Sequence, residues 1–379
     1  MLADLKSLFS EAKRFDWVFV LTMLALMVAG CAFIFSASHA LQTLRMFKMQ
    51  ILWCLLGLGV FTAVSVFDYR ELRRFKWPFY LTAVFLLIVV FFCPSQSGAH
   101  RWIPLPGFNM QPSELGKLGV ILMLAGIIGD PAHDVREWKT LGMCFGAVGL
   151  VFLLIAAEPD LGTSLVLVPI TILILYCAGM SMKPLWVLAA IGLVMLAVIY
   201  FWMKIDADSF PILEEYQKTR IKVFLNLAND PLGAEWNSTQ SQIAVGSGGF
   251  SGKGFLKGTQ NMLGFLPKTV APTDFIFSVI AEESGFRGCA VLLSLYGLLL
   301  TRAMHAAMVA SDLFGRLLAA GVTALVFCHV FVNVAMTIGV IPITGLPLPL
   351  ISYGGSFMLS MMAALGLVQS VYIRRRPGS

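Results

Sequence analysis

Charge is what this chain has least of. Of 379 residues only 13% are Asp, Glu, Lys or Arg, against roughly 25% in a soluble domain. So little charge cannot clothe a water-facing surface, which excludes an ordinary soluble enzyme. Nucleic acid is excluded as a partner too, because the net charge of +6 resides in loop clusters that flank apolar runs. Metal-ligand spacing is equally absent: His39, His100, His133, His305 and His329 stand apart from one another. None of the seven cysteines forms a CxxC or zinc-type pair. Cys31, Cys54, Cys93, Cys144, Cys177, Cys289 and Cys328 lie in or at the ends of apolar runs and read as small core residues, not bridges. A cleavable leader is missing as well. The first apolar run, from about Trp17, is too long for one and has no small-residue cleavage site, so it is expected to stay as an anchor.

What is present is apolar. Hydrophobic residues make up 58% of the chain, and several runs exceed the roughly 20 residues that span a bilayer. The expected fold is an all-α polytopic membrane protein of about ten transmembrane helices, beginning near residues 17, 49, 77, 113, 141, 161, 184, 275, 313 and 350. Fifteen lysines and arginines fall in the N-terminus, the 68–77, 130–140, 179–184 and 302–316 loops and the C-terminal tail. The short loops on the other side hold three, Arg45, Lys48 and Arg101. Both termini are therefore cytoplasmic. One long extracytoplasmic loop, about 204–274, joins helices 7 and 8, and residues 1–379 read as a single domain. Within the loop, Ile221, Phe224, Leu225 and Ala228 share a helical face beside Lys218, Arg220 and Lys222. That suits a helix on the membrane interface or an amphipathic helix packed on the bundle.

Polar residues collect between Pro211 and Gly288, and Asp274 stands there at the mouth of an apolar helix. Ionisable groups at such a depth are expensive and mark function. The alternative is a helix cap by Thr273 or Asp274. Glu283 and Arg287, four apart, are expected to pair. Gly246 to Gly254 fits neither the P-loop nor GxGxxG. It is either a tight loop for close helix approach or, with Lys253 and Lys257, a place for an anion. Glu114 and Lys117, three apart, form either a structural ion pair or a substrate-facing one. The turn Glu158-Pro159-Asp160 offers two acids for a cation or sugar hydroxyls, or else a cap. From Gly345 to Ser356 the helical pattern breaks, and irregular backbone at that depth lines a cavity or is buried in protein.

Nucleotide-activated donors are scarce away from the cytoplasm, so a transferase there needs a donor carrying its own leaving group. A lipid-linked pyrophosphate sugar meets that need. Asp274 would be general base on an acceptor hydroxyl, with basic residues or a divalent cation, Mg or Mn, meeting the departing pyrophosphate. A transporter is the rival reading.

Phe265-Leu266-Pro267, Thr273-Asp274-Phe275-Ile276-Phe277 and Ala281-Glu282-Glu283 resemble the SEDS family (shape, elongation, division and sporulation). So do Gln111-Pro112-Ser113-Glu114, Pro159-Asp160-Leu161-Gly162-Thr163 and Pro347 to Ser356, in the family's order. Gly252-Lys253-Gly254-Phe255 with Gly258-Thr259-Gln260 resembles its elongation (RodA-type) branch. The resemblance implies a peptidoglycan glycosyltransferase polymerising lipid II into glycan strands at the outer face of the bacterial inner membrane. It implies a class B penicillin-binding protein as transpeptidase partner within the elongation machinery. Lipid II flippase and non-catalytic scaffold are the alternatives. The family's essential aspartate falls on Asp274, and its intramembrane acid–lysine pair on Glu114 and Lys117. Asp160, Lys253, Lys257, Gln260 and Ser352 join them as binding or supporting candidates. One departure is Lys268, in a longer Pro267–Asp274 segment, where the family has an acid; this counts against cation binding by that loop.

Overall fold

The computed structural model describes residues 14–39, 44–94, 100–205, 215–225, 227, 233–266 and 270–376. In chain order the elements are α1 (Trp17–His39), α2 (Arg45–Val66), α3 (Lys76–Val89), the strands β1 (Ile103–Leu105) and β2 (Phe108–Met110), α4 (Pro112–Ile128), α5 (Trp138–Ala157), α6 (Leu161–Cys177) and α7 (Met182–Ile205). The long loop carries α8 (Glu215–Phe224), α9 (Ala234–Ser247) and the single turn α10 (Thr259–Met262). Then follow α11 (Ile276–Val309), α12 (Leu313–Thr337) and α13 (Gly355–Ile373). Among the described residues, ten apolar helices thus begin close to the expected positions. Six of them, α1, α2, α5, α11, α12 and α13, are long and apolar enough to cross a membrane. The span expected from 350 starts later, at Gly355, because Pro347 and Pro349 keep the preceding chain out of a helix. The expectation of helices alone needs a small amendment: β1 and β2 form an antiparallel hairpin, with Ile103 opposite Met110.

α4 and α12 are buried on nearly every face, as helices that are apolar all round must be when they form a bundle's centre. α12 touches α4, α6, α11 and α13, while α2 lies along α13 at the side. One end of the bundle carries the ion pairs Arg302–Asp16 (2.7 Å), Arg70–Asp312 (3.4 Å), Arg73–Asp130 (3.7 Å) and Arg374–Asp68 (3.4 Å). These lie in the loops and adjoining helix ends that the surplus of basic residues assigns to the cytoplasm. The opposite end gathers the hairpin, the long loop, the Asp274 turn and the irregular chain before α13. In the long loop, α8 forms where the amphipathic helix is expected, and its Ile221, with Leu225 just beyond its end, packs on Met203 of α7. The flanking residues 206–214 and Ala228, like Pro267, Lys268 and Thr269 of the departing segment, lie outside the described residues.

α11 is broken at Gly285, whose φ of 64° and ψ of −165° are not helical. The break frees backbone groups that hydrocarbon cannot satisfy, and the glycine-rich segment takes them up. Lys253 N donates to Glu282 O (3.0 Å) and Gly254 N to Glu283 O (2.9 Å). In return Phe286 N donates to Gly249 O (2.9 Å) and Arg287 N to Phe250 O (3.1 Å). Only glycine allows this approach: a Cβ on Gly252 would lie 2.1 Å from Glu283 O. The segment is therefore a tight loop for close approach, and the N–H groups of residues 253 and 254 are spent on the helix rather than on an anion. The break also corrects an expectation. Glu283 and Arg287 no longer sit one turn apart and do not pair; Glu283 accepts from the Ser36 hydroxyl, and the Arg287 guanidinium lies 4.7 Å over the Phe250 ring.

Candidate active site around Asp274

Asp274 belongs to a tight turn in which the N–H groups of Thr273, Asp274 and Phe275 converge on Val270 O at 3.2, 3.0 and 3.1 Å. α11 starts after it, and its N-cap residue, Phe275, makes no side-chain capping bond. The carboxylate is thus not consumed as a cap. It is half-buried, with Oδ2 facing Gly345: a Cβ there would lie 3.3 Å from Oδ2 and 3.9 Å from Arg220 Nη1. Acid and guanidinium therefore flank one glycine. Arg220 itself is fixed by a 2.9 Å hydrogen bond to Ile343 O.

Burial is the main influence on Asp274 and raises its pKa to about 6. Arg220 and the Thr273 hydroxyl pull it down, Asp160 pushes it up and Arg101 pulls it down. Three charged groups from three separate stretches of chain thus act on Asp274. Arg101 enters from the connection before β1 and donates to Glu158 O (3.2 Å) and to Pro159 O. Asp160 caps α6, with Oδ1 accepting from Thr163 N (3.2 Å), and its Oδ2 accepts from Gln111 Nε2 (3.3 Å). Glu158 is fully buried, and neither of its carboxyl oxygens has a hydrogen-bond partner among the described residues. Burial, reinforced by Asp160, raises it to about 9, so it is neutral near pH 7 and avoids burying an unmatched charge.

The other candidates fall into separate groups. Ser352 is a fastener: its hydroxyl donates to Thr273 O (2.5 Å) and accepts from Leu348 N (2.8 Å). Lys253 pairs with Glu282 Oε1 at 2.7 Å, and the same oxygen accepts from Gln260 N at 2.9 Å. That cluster lies two helical turns further along α11 than Asp274. Lys257 is exposed. Glu114 and Lys117 pair at 2.9 Å and are almost wholly shielded, with Lys117 0% exposed. Among the described residues no group of three or more His, Cys, Asp or Glu is arranged to hold a metal ion. The half-buried carboxylate is ionised near neutrality yet basic enough to take a proton, and guanidiniums beside it suit a charged phosphate group.

The model of the FtsW/RodA/SpoVE cell cycle proteins matches residues 15–376. The chain belongs to that family. It is 36% identical over 374 residues to the peptidoglycan glycosyltransferase MrdB of Escherichia coli K12, covering 98% of this chain and 97% of the relative. It is 35% identical over 375 residues to a probable peptidoglycan glycosyltransferase FtsW of Geobacter sulfurreducens, covering 96% of each. The crystal structure of the rod shape determining protein RodA of Thermus thermophilus superposes with a TM-score of 0.70 at 28% identity, over 96% of this chain and 98% of that one. A chain from a peptidoglycan synthase complex, described as coordinating polymerization and crosslinking, superposes with a TM-score of 0.75 at 29% identity, over 94% and 97%. As a family member the chain is a multi-pass protein of the bacterial inner membrane.

Several residues of this family member's site escape a reading of its sequence. Arg101 and Arg220 count there only as loop charges, and His329 stands as isolated, although its Nε2 lies 2.8 Å from Lys117 Nζ. Asn333, one turn on, donates to Asp274 O (2.9 Å) and Leu346 O (2.7 Å). The signal available in the sequence is an imidazole and an amide spaced i, i+4 in an otherwise apolar span.

Proposed function

We propose that the protein is a peptidoglycan glycosyltransferase that polymerises lipid II into glycan strands at the outer face of the inner membrane during cell elongation. The observation that carries this is Asp274, a half-buried carboxylate raised to about 6 beside Arg220, at the bundle end opposite the basic loops. Asp274 takes the proton of an acceptor sugar hydroxyl, whose oxygen attacks the anomeric carbon of the donor. A new glycosidic bond forms, the bond from that carbon to the diphosphate breaks, and undecaprenyl diphosphate departs with the electron pair. Arg220 and Arg101 meet its charge. Asp160 holds Gln111 and the α6 turn beside the acid, and Lys253 with Gln260 braces the broken helix through Glu282.

We also propose a divalent cation beside Asp274. Mg²⁺ is commonly held by one or two carboxylates together with substrate phosphates, and Asp274 with Asp160 supplies that number without a closed protein cage. An ion held by Asp274 and Asp160 would supply positive charge against the departing diphosphate. The partner is a class B penicillin-binding protein that crosslinks the strands, in keeping with the likeness to a chain of a peptidoglycan synthase complex.

The test is polymerisation of lipid II by the purified protein, with and without that partner. Wild type is expected to make glycan strands and Asp274→Asn none; full activity in the variant refutes the role of Asp274. Transfer of lipid II between leaflets of liposomes without strand formation would support the flippase instead.

A further inference from the structure

Three consecutive carbonyls, those of Pro272, Thr273 and Asp274, are each held by a different donor. Tyr353 N binds the first at 2.9 Å, Ser352 Oγ the second at 2.5 Å and Asn333 Nδ2 the third at 2.9 Å. Two of these donors come from the irregular chain before α13, which must itself be held. Asn333 does so by giving its second amide hydrogen to Leu346 O at 2.7 Å. Both donors of one buried amide are then committed to joining the Asp274 turn to that chain.

One turn earlier on α12, His329 reaches the next residue of the same chain, with Nδ1 3.1 Å from Pro347 O. Its Nε2 lies 2.8 Å from Lys117 Nζ. An ammonium only donates, so Nε2 accepts, and the ring is neutral with its proton on Nδ1, given to Pro347 O. Lys117 in turn is fixed by Glu114 Oε1 at 2.9 Å, and Glu114 Oε2 accepts from Ser360 Oγ at 3.3 Å. Lys117 is 0% exposed and Glu114 4%. The pair therefore has no surface to offer a substrate, and its contact toward the site is the imidazole.

We propose that Asn333 and His329 are positioning residues for Asp274, and that the Glu114–Lys117 pair serves the reaction through them rather than at the substrate. This rests on Asp274 being the base. Lys117 selects the tautomer of His329, His329 and Asn333 fix Leu346 and Pro347, and Asn333 fixes the carbonyl of Asp274. A shift of the acid through this chain changes the approach to the acceptor hydroxyl without removing any group that touches it.

The experiment uses the full chain with lipid II, and hydrogen exchange of the 270–276 backbone as a readout that needs no reaction. Asn333→Leu is expected to speed exchange in that segment while leaving α4 and α6 protected, and to lower kcat by about tenfold to a hundredfold with little change in KM. His329→Leu is expected to behave likewise, whereas His329→Gln, whose amide can still accept from Lys117 and donate to Pro347, recovers most of the loss. Lys117→Met should cost activity in the wild type and add nothing in the His329→Leu background. Normal exchange or a normal kcat in Asn333→Leu overturns the proposal. So does a His329→Gln as poor as His329→Leu, or independent, multiplicative effects at 117 and 329. The two readings fail separately: an active Asp274→Asn removes the base, whereas unchanged exchange at 270–276 in Asn333→Leu removes the positioning chain.

Discussion

Replacing Asp274 by asparagine is expected to abolish polymerisation and, at the same time, to stabilise the folded protein. An aspartate ordinarily titrates at 3.8, and burial raises Asp274 to about 6. That difference corresponds to about 3 kcal/mol against the charged form. Water reaches part of this half-buried group and screens it, so about 1–3 kcal/mol is the expected cost of holding it ionised. The sign follows from linkage. Above pH 6 the carboxyl is ionised in both folded and unfolded chains, and the folded state bears the whole cost. Below the unfolded value it is neutral in both, and the cost is gone. The penalty therefore grows as pH rises from about 4 to about 6 and stays constant above. Asparagine, nearly the same shape and never charged, avoids it at every pH.

The assay is thermal unfolding of wild type and Asp274→Asn in the same detergent between pH 4 and pH 8, beside a polymerisation assay at neutral pH. The variant should melt higher at pH 7.5, and the gap should close as the buffer approaches pH 4. Equal melting temperatures throughout would mean that the acid is not strained by its surroundings. A variant that melted lower at pH 7.5, with the deficit shrinking toward pH 4, would mean that the carboxylate is stabilised in the fold, as in an ordinary salt bridge. Either result would remove the physical basis for a base poised near neutrality.

Arg220→Gln removes a charge that holds Asp274 down, so the acid limb of the polymerisation pH profile should move to higher pH; an unmoved limb would mean the two do not interact. Gly345→Ala sets a methyl group 3.3 Å from Asp274 Oδ2 on backbone with φ of 78°, and strand formation should fall by at least about tenfold with the partner still bound in pull-down. Gly252→Ala drives a Cβ to 2.1 Å from Glu283 O, which should destabilise the fold by about 1–3 kcal/mol, read as a lower melting temperature and poorer yield. Chelating divalent cations should lower polymerisation, and Mg²⁺ or Mn²⁺ should restore it; full activity in excess chelator refutes a role for the ion.

The legible part of this molecule is the part that hydropathy writes. The helices begin close to the expected positions because a bilayer demands long apolar runs, and the basic loops mark one end because charge stays where water is. Asp274 stands out for the same reason, as an acid with no cheap place in such a chain. Its surroundings do not stand out, because they are made by contacts between distant residues. Arg101 and Arg220 look like surface charge until the hairpin approach and α8 bring them beside the turn. Glu283 and Arg287 look like a pair until Gly285 breaks the helix between them, and a single glycine does not announce a positive φ. His329 seems isolated because its partner, Lys117, lies on another helix, yet it was the lysine's need for a second acceptor besides Glu114 that could have pointed to it. A buried ammonium has three donors to satisfy, and one carboxylate oxygen satisfies one of them. Counting unsatisfied donors in apolar spans therefore carries information that hydropathy and motif spacing do not, and here it leads from α4 across α12 to the carbonyl of Asp274.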